Sequence, residues 1–448
     1  MQERPAEVPG MTGTTQGGEP SRKAARRARW KWAQATVWTD RMLAALEYGV
    51  KGGVWFSVID KVYDRRNLWA SWCKSAGNKG APGVDGITIE RFEKDVEANL
   101  ERLAGKLRDG SYQPKAIRRT YIPKADGSMR PLGIPTVSDR IVQGAIRHVI
   151  EPVFEKQFAS QSYGFRPGKG CKDALRRVDG LLKAGNRYVV DADLKGYFDT
   201  IPHDQLMERV REQIADGRVL KLIEAFLKAK IMEGLKEWTP LAGAPQGAVL
   251  SPLLSNIYLN PLDHQMARQG YEMVRYADDF VILCQSKEQA EAALAEVQEW
   301  VRMAGLTLHP MKTRIVDAAT DGFEFLGFRF DKGRRWPRNK SLQKLRATVR
   351  LRTARTSGVS LSVLIGRINP VLRGWFGYFK HAARWTLGRV DGWVRMRLRS
   401  ILRKRHKGRG RGRGSDHQRW PNAFFAKVGL FSLEQAHREA RQSMKMAH

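Results

Sequence analysis

The chain has 448 residues, 42% of them hydrophobic, which is enough for two or three domains with cores of their own. It carries 79 Lys and Arg against 46 Asp and Glu, a formal net charge of +33. An enzyme of small metabolites needs no such field; it implies a polyanionic partner whose counterions the cations displace. The 13 Trp and 11 Tyr interleaved with those cations favour nucleic acid over mere solubility. Three scattered cysteines, Cys73, Cys171 and Cys284, argue against a disulfide framework or a cysteine-rich zinc site. No apolar run reaches the length of a membrane span and none marks a secretory signal near the start, so a cytoplasmic protein without a membrane partner is expected.

Residues 1–20, rich in Gly, Pro, Thr and Glu, read as disordered, and a basic helical segment opens at 21–32. Apolar spacing predicts a helix over 55–72 on Val58, Val62, Leu68, Trp69 and Trp72. A turn-rich loop, NKGAPGVDGIT (78–88), precedes an amphipathic helix over 89–110 that ends at Gly110. Residues 116–135 read as two strands around an ADGS turn, and helix follows over 139–158. Strands are expected in RYVVDADL (187–194), which breaks at Lys195-Gly196, in VRYADDFVIL (274–283) and in GFEFLGFRF (322–330). After Lys340 the chain turns helical and very basic. Strands mixed with helices of unequal length, without a repeat, indicate an α+β fold.

Asp278 and Asp279 stand side by side in an apolar, β-branched stretch, where two carboxylates repel and are costly to desolvate. Neighbours in a strand point to opposite faces, so a hairpin tip is the natural place for both to reach one cation. If 187–194 lies beside it, Asp193 and Asp278 converge. Hard oxygen ligands with little else suit Mg²⁺, which keeps its waters and takes further ligands from substrate phosphates. Two such ions roughly 4 Å apart can activate a 3′-hydroxyl and stabilise a leaving pyrophosphate.

YADD (276–279) resembles the signature of reverse transcriptases, and the family's other blocks follow in order: YIPKADGSMRPLGIP (121–135), SYGFRPGKG (162–170), DADLKGYFDTIPH (191–203), GAPQGAVLSPLLSNIYL (243–259), GLTLHPMKT (305–313) and FEFLGFRF (323–330). LIGRINPVLRGWFGYFKHA (364–382) and RWPNAFFAKVGLFSLEQAH (419–437) are similar to the thumb and tail of bacterial group II intron-encoded reverse transcriptase/maturases. The resemblance implies right-handed fingers and palm with an antiparallel palm sheet, then an α-helical thumb. It divides the chain into a disordered, basic arm (1–40), an N-terminal extension with the first fingers block (41–117), fingers and palm (118–335), a helical maturase thumb (341–394) and a basic DNA- or RNA-binding segment (395–448). His406, His417, His437 and His448 have no C-x-x-C companion, so the endonuclease carried by many family members is expected to be missing.

Carried onto this chain, the resemblance makes Asp193, Asp278 and Asp279 the catalytic carboxylates and ligands of two Mg²⁺ ions, with Mn²⁺ able to substitute. The Leu194 carbonyl adds a backbone ligand, and Asp191 and Asp199 are structural. Phe198 takes the place of the sugar gate that selects dNTPs. Lys124 and Arg130 flank the fingers turn, where cations can close over a triphosphate. Gln246 lines the nucleotide pocket with Gly247 beside it, and Lys312 supports the primer end or the palm. In the thumb, Leu361, Leu364, Ile365 and Ile368 form one packing face and Pro370 bends or ends the helix, leaving Arg367, Arg373 and Lys380 for nucleic acid. Eleven Lys and Arg in 395–419, among them Arg403, Lys404, Arg405, Lys407, Arg409, Arg411 and Arg413, should bind phosphates on an arm that becomes flexible at GRGRGRG. The expected activity is RNA-directed DNA synthesis combined with splicing assistance. The partners are a group II intron RNA, target DNA and dNTPs, and no oligomeric state is indicated. A retron-type, diversity-generating or defence reverse transcriptase, or a splicing factor with a vestigial polymerase, is the alternative.

Overall fold

A computed structural model describes residues 22–50, 52–123 and 127–446. The strands are β1 (Ile117–Pro123), β2 (Met129–Ile134), β3 (Tyr188–Asp193), β4 (Ile231–Glu233), β5 (Lys236–Trp238), β6 (Glu272–Tyr276), β7 (Asp279–Cys284), β8 (Arg314–Asp317), β9 (Phe323–Phe325), β10 (Phe328–Asp331) and β11 (Arg334–Pro337). They make three sheets, ordered β2-β1-β4-β5, β6-β7-β3-β8 and β11-β10-β9. The central sheet is antiparallel throughout, as expected for the palm. In the first sheet β1 and β4 run parallel.

Period-two alternation gives the central sheet two buried faces. Val190, Ala192, Phe280, Ile282 and Cys284 enter the largest core, shared with the helices Val137–Glu155, Ser251–Arg268 and Lys287–Met303. On the other face Val189, Val281, Leu283 and Val316 meet the helix Cys171–Lys183 and the phenylalanines of β9 and β10. Phe379 of the helix Leu361–Phe379 joins this second cluster, so the thumb is anchored on the palm through aromatic packing, with Phe379 at 4.9 Å from Phe328. A third core, including Leu364, Ile368, Leu372, Val394, Leu398 and Phe425, holds the C-terminal helices together.

Four expectations are corrected here. The helix expected over 55–72 is two, Ile59–Tyr63 and Arg65–Gly77, because Asp64 adopts an extended conformation and its side chain accepts from the Arg66 amide at 2.8 Å, capping a new helix. The helix over 89–110 is also two, Ile89–Glu93 and Val96–Asp109. Asn99 donates to the Phe92 carbonyl at the break, and Gly110 closes the second helix in the left-handed region as expected. Of the bend or end expected at Pro370, the end is excluded: the thumb helix runs unbroken from Leu361 to Phe379. Burial of Ile368 and Leu372 on either side in one core offsets the lost backbone bond, a loss of about 3 kcal/mol in a helix interior. The basic arm assigned to 1–40 includes buried Trp30, Val37 and Trp38, and Arg27 is ion-paired to Asp40 at 2.6 Å. Its first 21 residues lie outside the described residues.

Leu372→Ala should open a cavity in the third core and cost about 2–5 kcal/mol. Hydrogen exchange should accelerate across residues 342–430 while the central sheet keeps its protection.

Candidate active site

β3 lies at the centre of the palm sheet, paired with β7 on one side and β8 on the other. The β3–β7 register sets Asp193 opposite Asp279 and Asp191 opposite Val281. Cross-strand partners share a face, as do residues two apart, so Asp191, Asp193 and Asp279 gather at one end of one face. Ala277 and Asp278 form the two-residue turn between β6 and β7, which brings the fourth carboxylate to the same end.

That turn is strained and tightly held. Ala277 sits at φ +60°, a region an alanine rarely adopts. Arg275, wholly buried, donates to the Ala277 carbonyl at 2.8 Å and is paired with Asp263 through two bonds of 2.7 and 2.5 Å. Its remaining donors reach Asn256 at 3.0 Å and Ser162 at 2.8 Å. Asn256 also donates to the Gly164 carbonyl. A Cβ on Gly164 would lie 2.2 Å from the Ala277 nitrogen, so only glycine lets this loop back the turn.

The cluster is electrostatically tense. Burial, with repulsion from Asp191, Asp278 and Asp193, pushes the Asp279 carboxyl up to about 7. Burial likewise raises Asp191 to about 6 and lifts Asp278. Two cations offset this: Lys312 lies 2.5 Å from Asp193 and Arg314 3.5 Å from Asp191. Lys312 is thus tied to a carboxylate. Among the described residues no group of three or more His, Cys, Asp or Glu side chains is arranged to hold a metal ion by itself.

Arg130, on β2, is near enough to Asp278 and Asp199 for its charge to favour their ionised forms. Lys124 lies outside the described residues. Phe198 is half-buried, edge-on to Tyr197 at 5.4 Å and to Phe165 at 6.4 Å. Phe198 and Gln246 line one cleft of about 480 Å³ with Arg119, Gly133 and Trp238. Gly247, at φ +103°, is required for a contact within the protein: its Cβ would lie 2.5 Å from the Gly133 carbonyl. The Gly133 amide donates to the Gln246 carbonyl at 2.7 Å, locking this loop to β2. Leu194 is buried and bridges to Leu308.

In the thumb, Arg367 and Arg373 are exposed and Lys380 is half-buried; Arg373 covers the Phe431 ring at 4.6 Å. The GRGRGRG run folds back on the helix Arg384–Arg405 instead of trailing as an arm. Arg403 pairs with Asp416 at 2.7 Å and donates to the Arg409 carbonyl, while the Gly412 amide donates to Ser400. A Cβ on Gly412 would meet that of Arg399 at 2.5 Å, so glycine there permits close packing. Arg403 and Arg405, which donates to the Val359 carbonyl, therefore act within the fold. Lys404, Lys407, Arg409, Arg411 and Arg413 remain exposed.

Residues 122–330 match the family Reverse transcriptase (RNA-dependent DNA polymerase), and residues 342–420 match Group II intron, maturase-specific domain. The chain is 34% identical over 332 residues to Protein YkfC of Escherichia coli (strain K12), covering 65% of this chain and 86% of that protein. The chain belongs to the group II intron-encoded reverse transcriptases. It is 40% identical over 187 residues to the group II intron-encoded protein LtrA of Lactococcus lactis subsp. cremoris, covering 42% of this chain but only 31% of LtrA. Among solved structures it is similar to a partial Cas6-RT-Cas1–Cas2 complex, 22% identical with a TM-score of 0.35 over 55% of this chain and 42% of that one. No helix among the described residues is long and apolar enough to cross a membrane.

Sequence reasoning missed the support of this reverse transcriptase's turn: Arg275, Asp263, Asn256, Ser162 and Gly164. An arginine immediately before YADD, in a strand otherwise apolar, was the available signal. Removing one member of such a buried pair strands the other, at a cost of about 3–5 kcal/mol. Arg275→Met should therefore destabilise the palm by that order, and Arg275→Met with Asp263→Leu by much less; denaturant midpoints of the three proteins check this.

The raised carboxylates also set a pH dependence. An acid whose pKa is raised by folding favours the folded state when protonated, so its contribution is full below about 4 and lost as pH rises toward 7. Metal-free protein should lose melting temperature from about pH 4 to about pH 7 on this account. Asp279→Asn should flatten that slope when the two proteins are scanned in parallel.

Proposed function

We propose that Asp193, Asp278 and Asp279, with the Leu194 carbonyl, hold two Mg²⁺ ions, or Mn²⁺ in their place, and that the chain copies its own group II intron RNA into DNA while assisting that RNA to splice. The observation that carries this reading is the in-register pairing of Asp193 with Asp279, with Asp278 on the adjoining turn. The residues suit such ions on two grounds. Every donor is a hard oxygen, and burial, with repulsion from neighbouring carboxylates, raises Asp278 and Asp279, a cost that a bound cation would relieve. An incomplete cage is also what Mg²⁺ tolerates, since it keeps waters and takes substrate phosphates as ligands. When bound, the ions supply Lewis acidity at the primer 3′-hydroxyl and at the pyrophosphate leaving group.

The chain's own residues supply position and charge. Arg130, with Lys124 near the fingers turn, holds the triphosphate of an incoming dNTP. Phe198 stands where a ribose 2′-hydroxyl would collide with it. Gln246 lines the pocket, and Gly247 keeps that loop closed on β2. Lys312 fixes the Asp193 side chain until substrate arrives. The exposed cations Arg367, Arg373, Lys404, Lys407, Arg409, Arg411 and Arg413, with half-buried Lys380, offer the intron RNA and target DNA a positive surface.

Asp278→Asn should lower DNA synthesis about 100- to 1,000-fold, the order lost when a transition-state charge loses its partner, while splicing assistance by the folded protein stays within about twofold. Equal loss of both activities in a well-folded variant would refute separate roles. Phe198→Val should raise NTP incorporation relative to dNTP, read by primer extension in each nucleotide pool.

A further inference from the structure

The junction of palm and thumb carries an aromatic and cationic surface that the polymerase site does not use. Ala383, at the start of the helix Arg384–Arg405, donates its amide to the Arg335 carbonyl of β11 at 2.9 Å, which sets Trp385 beside Trp336 with ring centroids 6.0 Å apart. Trp385 is 47% exposed, unusual for so large an apolar ring, and the guanidinium of Arg389 lies 5.0 Å from its centroid. Arg389 is itself exposed and has no acidic partner among the described residues. Next to this, His381 is surrounded by Arg335, Lys380, Lys172 and Arg176. Arg335 is neutralised by Asp179 and Arg176 by Asp173, whereas Lys172 and Lys380 have no acidic partner among the described residues. Burial and these cations hold the His381 imidazole down at about 4, so it adds no charge, and the potential it reports is positive.

An exposed indole beside an arginine and unneutralised lysines is the equipment of a base-stacking platform: the ring takes the face of an unstacked base and the cations take its phosphates. We infer that Trp385, backed by Trp336 and Arg389, stacks an unpaired nucleotide of single-stranded RNA, with Lys172 and Lys380 on the adjoining backbone. RNA is the occupant because Trp385 and Arg389 fall within the maturase-specific region, and because looped-out bases accessible to an aromatic ring are a property of folded RNA. The inference rests on the maturase reading but not on the polymerase reading.

The test is photocrosslinking of the full chain to a single-stranded oligoribonucleotide of about twenty residues containing 5-iodouridine, with the matching 5-iododeoxyuridine DNA in parallel. The expected result is an RNA crosslink on the peptide carrying Trp385 or Trp336. Trp385→Ala should weaken RNA binding about 5- to 100-fold, the range of one base–aromatic stack, and Trp385→Phe, which keeps a ring and the packing, should recover most of it. Arg389→Ala should give a smaller loss. Crosslinks confined to other peptides, a crosslink only with DNA, or equal affinity of Trp385→Ala and wild type would each overturn the assignment. Protein that crosslinks at Trp385 yet makes no DNA would refute the polymerase and leave this site standing; protein that makes DNA without that crosslink refutes this site alone.

Discussion

The buried Arg275–Asp263 pair is the constraint from which the carboxylate-bearing end of the palm follows. A hairpin of two acidic residues cannot hold itself together: its carboxylates repel and Ala277 occupies a strained conformation. Arg275 resolves this from inside the protein, donating to the Ala277 carbonyl while Asp263 neutralises it. Because the pair is wholly enclosed, its partners are fixed in turn. Asn256 and Ser162 take the donors Asp263 does not, and Gly164 closes the space that any side chain would fill. A charge buried without water must be satisfied completely or not at all, and complete satisfaction specifies one arrangement.

The thumb is tied into the same arrangement. Tyr378 donates to the Leu326 carbonyl at 2.8 Å, at the tip of the β9–β10 hairpin, where Leu326 adopts φ +47°. The Arg338 amide donates to the neighbouring Gly327 carbonyl, so the hairpin tip is held from the thumb helix and from the segment that leads into it. β9 and β10 supply the phenylalanines that pack on Val189 and Val281, residues of the two carboxylate-bearing strands. A displacement of the thumb helix therefore bears on the palm through this aromatic layer. Close packing transmits such displacement, since its members have no free volume into which to relax.

What could be read from the sequence divides along physical lines. β1, β2 and β3 and the hairpin at YADD were legible because alternation and turn chemistry are local, and the α+β class followed from their mixture with helices. The segment 322–330, read as a strand, is instead the hairpin of β9 and β10, and β4, β5, β8 and β11 were not read at all. The helix breaks were not legible: at Asp64 a capping aspartate looks the same as a surface aspartate until the chain leaves the helix there, and at Lys94-Asp95 the break is bridged by Asn99, whose bond to the Phe92 carbonyl no local pattern announces. At Pro370 the local penalty was legible and left a bend or an end open; that the helix does not end there was not legible, because the core that holds it is assembled from residues as distant as Leu345 and Leu433. At the site, the carboxylates stood out as acids in an apolar strand. Their support did not, because Asp263 and Asn256 sit on a helix whose apolar spacing hides them until the sheet packs against it.

The glycine–arginine run shows how composition and structure part company. Alternating Gly and Arg reads as a flexible phosphate-binding tail, yet Gly412 is needed for its backbone to approach Arg399, and Arg403 is neutralised by the single acid of the segment, Asp416. The run is thereby pinned as a loop against the helix Arg384–Arg405, with Arg409, Arg411 and Arg413 turned outward. Pinning changes the energetics of any phosphate it meets. A free arm gives up conformational entropy for each residue it orders on binding, whereas a pre-formed loop has given it up on folding. The exposed arginines of this run are thus held on a shaped surface, and shape is what allows a polyanion to be recognised by its fold rather than by charge alone.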